Sequence, residues 1–176
     1  MNMSLEILKY PHSILKEVAE ELKKEEINNQ LRTTLDEMRE MMLDANGAGL
    51  AAIQVGIKKR FFIMFDNLDD SSPEIIAIIN PKIIAQDGEV IDEEGCLSFP
   101  GVSAKVKRAT NVKISALNEF GKEVIIQKDG FLARCIQHEI DHLNGITFFD
   151  HLGSLKRKMI EKKYKKLMKE NSNYQV

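Results

Sequence analysis

The 176-residue sequence predicts an α+β fold: a single domain of antiparallel β-strands packed around a central helix that carries His138-Glu139-Ile140-Asp141-His142, with a further helix at the C-terminus. Three observations predict it. Apolar residues recur every three or four positions from Glu26 to Asp44; strand-like segments parted by turn residues fill the middle of the chain; and helical spacing returns after Asp129.

Ile27, Leu31, Leu35, Met38 and Met42 give the first helix one apolar face, and Asn46 and Gly47 end it. Its methionines read as core filler, because a flexible thioether packs irregular gaps. Strands are predicted at 60–65, 75–84 with a break at Pro81, 102–107, 112–117 and 123–127, with Asn118 to Gly121 as the hairpin turn between the last two. Asp129 is the predicted N-cap of the helix bearing Cys135, His138 and His142, which ends near Gly145. Leu155, Met159, Ile160, Tyr164, Leu167 and Met168 place a basic amphipathic helix over 155–170, and 171–176 read as a flexible tail.

With 43% hydrophobic and 30% charged residues the chain has the composition of a soluble globular protein, long enough for a real core. No apolar run approaches the roughly twenty residues that cross a bilayer, and the N-terminus lacks a signal-like apolar stretch, so a cytoplasmic location is expected. Two cysteines leave no disulfide framework and fit a reducing compartment. Charge is uneven: residues 155–170 hold eight Lys or Arg against two Glu, whereas residues 1–154 carry net −8. Such a helix can dock on its own domain, on an acidic membrane surface or on RNA.

The chemistry centres on His138-Glu139-x-x-His142. Histidines at i and i+4 share one helical face, so two imidazoles reach one cation while the glutamate between them stays beside a metal-bound water, an arrangement that points to hydrolysis. A catalytic metal needs a third protein ligand and an open position. His12 and His151 sit beside Pro11 and near Gly153, where surface loops are expected. The cysteines are better candidates. Cys96 lies in Glu93-Glu94-Gly95-Cys96-Leu97-Ser98-Phe99-Pro100, a segment with the glycine and proline of a bend. Cys135, three residues before His138, has a spacing that also permits ligation, although between Leu132 and Ile136 it fits a buried apolar position. A third segment, Gly47-Ala48-Gly49-Leu50-Ala51-Ala52-Ile53-Gln54, would let backbone come close to a ligand, with Gln54 as a neutral amide donor.

In this order, GAGLAAIQ, EEGCLS and QHEIDH resemble the three signature segments of the peptide deformylase family, and the resemblance runs from about residue 5 to about residue 155. Ala48 stands where a larger aliphatic residue is common. The resemblance implies Cys96, His138 and His142 as metal ligands, and a hydrolase that takes the N-formyl group from the formylmethionine of new polypeptides and releases formate. It implies Glu139 as general acid and base for a metal-bound water, with the Gln54 amide and the Leu97 N–H as donors to the formyl oxygen. It implies a methionine pocket of Gly47, Ala48, Glu94, Gly95, Phe131, Arg134, Cys135 and His138, with the Gly49 backbone pairing with the peptide and the aliphatic stem of Arg134 along one wall. One divalent metal per chain is implied, ferrous iron in the cell, with zinc, nickel or cobalt compatible with one thiolate and two imidazoles. Formylmethionyl nascent chains are the implied partners, and the basic C-terminal helix would meet rRNA phosphates on the ribosome; no membrane and no DNA partner is expected. Asp141 reads as a supporting carboxylate and Glu94 as a residue that orients the Cys96 segment; Arg108 is a candidate partner for Glu94, although an arginine on a basic, exposed strand is the expected reading.

Two rival readings differ in class. A zinc endopeptidase would take its third ligand downstream, from Asp150, His151 or Glu161. A non-catalytic ribosome-binding module would hold a structural metal, and the presence of Gln54, Cys96, Glu139 and both histidines argues against lost activity.

Overall fold

The computed structural model describes residues 4–69, 71 and 73–173. Helix α1, Asn29–Asp44, starts where the Asn28 side chain accepts a hydrogen bond from the Leu31 N–H at 3.0 Å. That cap sets its start three residues later than the apolar spacing alone implies. Past its end Asn46 adopts φ 54°, a left-handed backbone that stops a helix.

Five strands follow in one antiparallel sheet. Strands β1 (Gly49–Ala51), β2 (Phe61–Phe65) and β3 (Ile75–Asp87) adjoin one another in chain order. Strands β4 (Val90–Gly95) and β5 (Ser103–Arg108) form a separate antiparallel hairpin, and β6 (Asn111–Leu117) and β7 (Glu123–Asp129) then complete the main sheet in the order β1-β2-β3-β6-β7. The break expected at Pro81 is a register shift between Ile79 and Lys82, not an end: Pro81 has no N–H for the ladder, and the strand resumes beyond it. Asn80, at φ 50°, holds both backbone polar groups of Leu22 with its amide, at 2.9 Å each. The turn at Asn118 to Gly121 forms as expected, with the Asn118 carboxamide oxygen accepting from the N–H groups of Phe120 and Lys122.

Helix α2, Gly130–Leu143, and helix α3, Ser154–Asn173, complete the chain. Strand β2 explains why both faces of the sheet are covered. Phe62 and Met64 meet Ala133, Ile136, Ile140 and Leu143 of α2, whereas Phe61 and Ile63 meet Leu31, Leu35, Met38 and Met42 of α1. Side chains alternate across a strand, so a run with no polar residue needs a helix on each side. Met38 and Met42 of α1 are fully buried, as core filler should be, and Met41 packs partly buried against the same cluster.

A third, aromatic cluster supports the segment around Cys96. Phe99, Phe148, Phe149 and Tyr164 pack with Val102, Ala104 and Val106, and Tyr10 stacks on Phe99 at 4.9 Å between ring centroids. Helix α3 is held there by the Tyr164 hydroxyl, which donates to the Tyr10 carbonyl at 2.7 Å, and by the Tyr10 hydroxyl, which donates to Glu161 at 2.8 Å. Ile160, Tyr164, Leu167 and Met168 face the body, while Leu155 and Met159 face solvent. The helix runs on through the first residues of the tail expected at 171–176; residues 174–176 lie outside those described. No described helix is long and apolar enough to cross a membrane.

Candidate metal centre

Helix α2 presents His138 and His142 one turn apart, and the bend after β4 brings Cys96 to them. Cys96 Sγ lies 3.3 Å from His142 Nε2, which lies 3.2 Å from His138 Nε2. One donor atom from each residue falls within 4.8 Å of the other two, and this is the one such His/Cys/carboxylate group among the described residues. Two imidazole nitrogens and a sulfur pointed at one spot cannot satisfy one another, since only one proton fits between each pair. A soft divalent cation satisfies all three, so the donor set fits a metal of the zinc or ferrous class.

Cys135, the other cysteine, is not part of this group. Burial pushes its thiol up to about 12, so it is a neutral neighbour in the cleft wall. His142 is lowered by burial, which suits a neutral imidazole ligand. The downstream residues an endopeptidase would use are engaged elsewhere: Asp150 caps Thr147, Glu161 accepts from Tyr10, and His151 Nε2 lies 2.7 Å from Asp141. His12 caps the turn at Ser13–Lys16 by accepting from the Ile14 N–H.

The ligands are braced from behind. His138 Nδ1 lies 2.9 Å from Glu94, and Arg108 grips the same carboxylate with Nε at 2.7 Å and Nη2 at 3.0 Å. Arg108 Nη1 also donates to Asp141 at 2.6 Å. The expected exposed arginine is therefore corrected: its side chain is 4% exposed, buried among acids that lie far from it in sequence. Burial alone would raise Glu94, but the hydrogen bonds from Arg108 and His138 bring it down to about 2. A charged Glu94 then holds the His138 ring in one orientation, as carboxylates behind metal-bound histidines do.

Glu139 is 4% exposed, and burial, offset in part by His138, pushes its carboxyl up to about 7. Its Oε2 has no hydrogen-bond partner among the described residues. A buried carboxylate oxygen left open beside three ligand atoms has room for a proton in transit. Gly49 makes that room: a Cβ there would stand 2.9 Å from Glu139 Oε1. Gln54, 1% exposed, sits in the tight turn after β1. Its Oε1 accepts from the Ala51 N–H at 2.9 Å, which fixes the amide so that Nε2 faces Ser98 Oγ at 3.1 Å and Cys96 Sγ at 3.6 Å.

A cleft of about 590 Å³ opens on this centre. Its walls include Gly47, Ala48, Gly49, Gln54, Glu94, Gly95, Cys96, Leu97, Phe131, Arg134, Cys135, His138 and Glu139. Gly47 is close against Leu97, whose Cδ1 a Cβ would meet at 2.7 Å. Sequence reasoning did not place Ile7, Lys9, Asn46, Phe99, Pro100 and Val102 on the cleft, nor Ser98 beside Gln54. Lys9 carries no local pattern that points to it; Ser98, Phe99 and Pro100 lie in the segment around Cys96 that the sequence singles out, but their own roles do not show in it.

The family model described as polypeptide deformylase matches residues 4–158. A peptide deformylase of Thermodesulfovibrio yellowstonii is 45% identical over 161 residues, 92% of this chain and 96% of that protein. A peptide deformylase crystal structure from Legionella pneumophila superposes with a TM-score of 0.89 at 39% identity, covering 97% of this chain and 98% of the other. One from Ehrlichia chaffeensis, in complex with actinonin, gives 0.85 at 39% identity over 93% and 98%. Matched almost from end to end in sequence and in fold, the chain belongs to the polypeptide deformylase family.

Proposed function

We propose that this chain, as one catalytic unit, hydrolyses the N-formyl group from the formylmethionine of newly made polypeptides and releases formate. One observation carries the reading: three candidate ligand atoms lie within 4.8 Å of one another beside a cleft whose walls include a buried carboxylate, Glu139, and an amide, Gln54, fixed by its own hydrogen bond. Cys96, His138 and His142 would hold the metal, a Lewis acid that brings the pKa of a bound water toward neutrality when present. Glu139 takes the proton of the attacking water through its free oxygen and passes it to the amine as the carbon–nitrogen bond breaks. Negative charge that grows on the formyl oxygen would meet the Gln54 amide, whose orientation the Ala51 N–H fixes, and the Leu97 N–H. Gly47, Ala48, Glu94, Gly95, Phe131, Arg134 and Cys135 enclose the methionine side chain, and the Gly49 backbone pairs with the peptide. A formyl carbon carries hydrogen where an internal peptide carbonyl carries a carbon substituent, so a narrow approach admits it and excludes internal peptide bonds.

Ferrous iron is the ion proposed for the cell, with zinc, nickel or cobalt able to fill the same sulfur–nitrogen site. The test is formate release from a formyl-methionyl peptide by protein purified without oxygen and loaded with ferrous iron, beside a chelator-treated sample. Formate from the loaded sample alone is expected; none from folded, loaded protein would overturn the reading.

The proposed cellular setting is the cytoplasm, at the ribosome. Exposed Lys156, Lys158, Lys162, Lys163, Lys165, Lys166 and Lys169 support contact with rRNA phosphate through α3. Charge reversal at Lys158, Lys162 and Lys165 is expected to weaken co-sedimentation with ribosomes at low salt while leaving turnover of a short peptide intact. Unchanged co-sedimentation would dismiss the contact.

A further inference from the structure

Arg134 precedes His138 by one helical turn, which places it on the face of α2 that forms the cleft wall. Its guanidinium carbon lies 5.5 Å from the centre of the Phe131 ring, and its side chain is only 15% exposed. Nη1 stands 3.0 Å from Asp92 Oδ2, and Asp92 is its one ion-pair partner among the described residues. Asp92 lies two positions before Glu94 on β4, so both project from the same face of the strand toward α2. The pair therefore straps β4 to α2 across the outer wall of the cleft. With the Asp92 side chain 54% exposed, such a pair adds little to stability. Its consequence lies in charge. A guanidinium has five N–H donors and keeps its charge at any cellular pH, so at a pocket wall it would draw in an acidic side chain unless a fixed anion answered it.

We infer that the Asp92–Arg134 pair sets which first residue the cleft accepts: Asp92 neutralises Arg134 and holds it flat along the wall, so that the pocket takes an uncharged chain such as methionine and refuses glutamate. This rests on the deformylase reading. Asp92 is a positioning residue acting through Arg134, and its role is discrimination, achieved by neutralising a competing attraction.

The test compares formyl-Met, formyl-norleucine and formyl-Glu tripeptides with the metal-loaded protein and its Asp92→Asn, Arg134→Met and doubly substituted forms. Equilibrium binding of the unformylated Met and Glu peptides to the metal-free proteins is measured alongside. In Asp92→Asn, kcat/KM for the Glu peptide is expected to rise about tenfold relative to Met, through KM, and binding to shift the same way. The gain should vanish when Arg134→Met is added. An unchanged Glu/Met ratio in Asp92→Asn, or a gain that survives the double substitution, overturns the inference. If the loaded wild-type protein deformylates no peptide, the deformylase reading falls and the binding ratio alone decides for or against the pair.

Discussion

Replacing Glu139 with glutamine lowers kcat for a formyl-methionyl peptide by about a hundredfold to ten-thousandfold while the protein retains its metal. The side chain keeps its size, so the contact with Gly49 is unchanged, and none of the three converging ligand atoms is touched. On the proposed mechanism, what is lost is the oxygen that exchanges protons. Burial pushes the Glu139 carboxyl up to about 7, which places it near the pH at which it must both take and give a proton. The same burial opposes folding. Because the native pKa lies above the unfolded value near 4.5, the native state binds more protons in between. Below pH 4.5 the group is protonated in both states and costs nothing; from 4.5 to 7 stability falls, and above 7 the full penalty applies, about 3 kcal/mol in metal-free protein. Metal-free Glu139→Gln should therefore match wild type in urea at pH 4 and exceed it by about 2–3 kcal/mol at pH 8. Turnover within tenfold of wild type at equal metal content would remove Glu139 from the chemistry. Equal stability at both pH values would show that its burial carries no electrostatic cost.

How much of this was legible in the sequence follows from the range of each interaction. Helices α1 and α2 and the β6–β7 hairpin rest on local periodicity and turn chemistry, so they could be read within a few residues. Strand β1 could not, being three residues inside a glycine–alanine run, nor could β4, whose acids give no apolar alternation. The histidine pair was legible because one helical turn joins the two. Cys96 against Cys135 was not legible from spacing: both lie within reach on paper, and only the bend after β4, resting on the aromatic cluster beneath α3, brings Cys96 to the histidines. Arg108 shows the same limit. Its strand reads as basic and exposed, and the carboxylates that bury it come from β4 and α2. In α3 the apolar spacing was right, yet it could not tell that Tyr164 points inward and Leu155 outward, which depends on where Tyr10 lies.

Replacing Arg108 with methionine destabilises the protein by about 3–5 kcal/mol and weakens metal binding by about tenfold to a hundredfold. Methionine occupies similar space, so the loss is electrostatic: among the described residues Glu94, 8% exposed, keeps only His138 as a side-chain partner, and Asp141 keeps only His151. Lysine should not restore the site, because one ammonium cannot supply two parallel hydrogen bonds to Glu94 and a third to Asp141. The pH dependence separates this account from a simple packing defect. In wild type Glu94 is held down at about 2, below its unfolded value near 4.5, so its contribution is complete above pH 4.5 and is lost as the pH falls from there toward 2. Without Arg108 the native carboxyl is no longer held so low, and the wild-type advantage should narrow across that acidic range. A packing defect would leave the gap constant. Urea unfolding of both proteins at pH 7 and pH 3, with chelator competition at pH 7, distinguishes the two. A loss under 1 kcal/mol with unchanged metal retention would show that Glu94 orients His138 without Arg108. The double substitution Glu94→Gln with Arg108→Met tests the point from the other side. Removing charge from both partners should recover part of the stability, since an unpaired buried carboxylate costs more than none, but not the metal affinity, since an amide holds the His138 ring less firmly than a carboxylate.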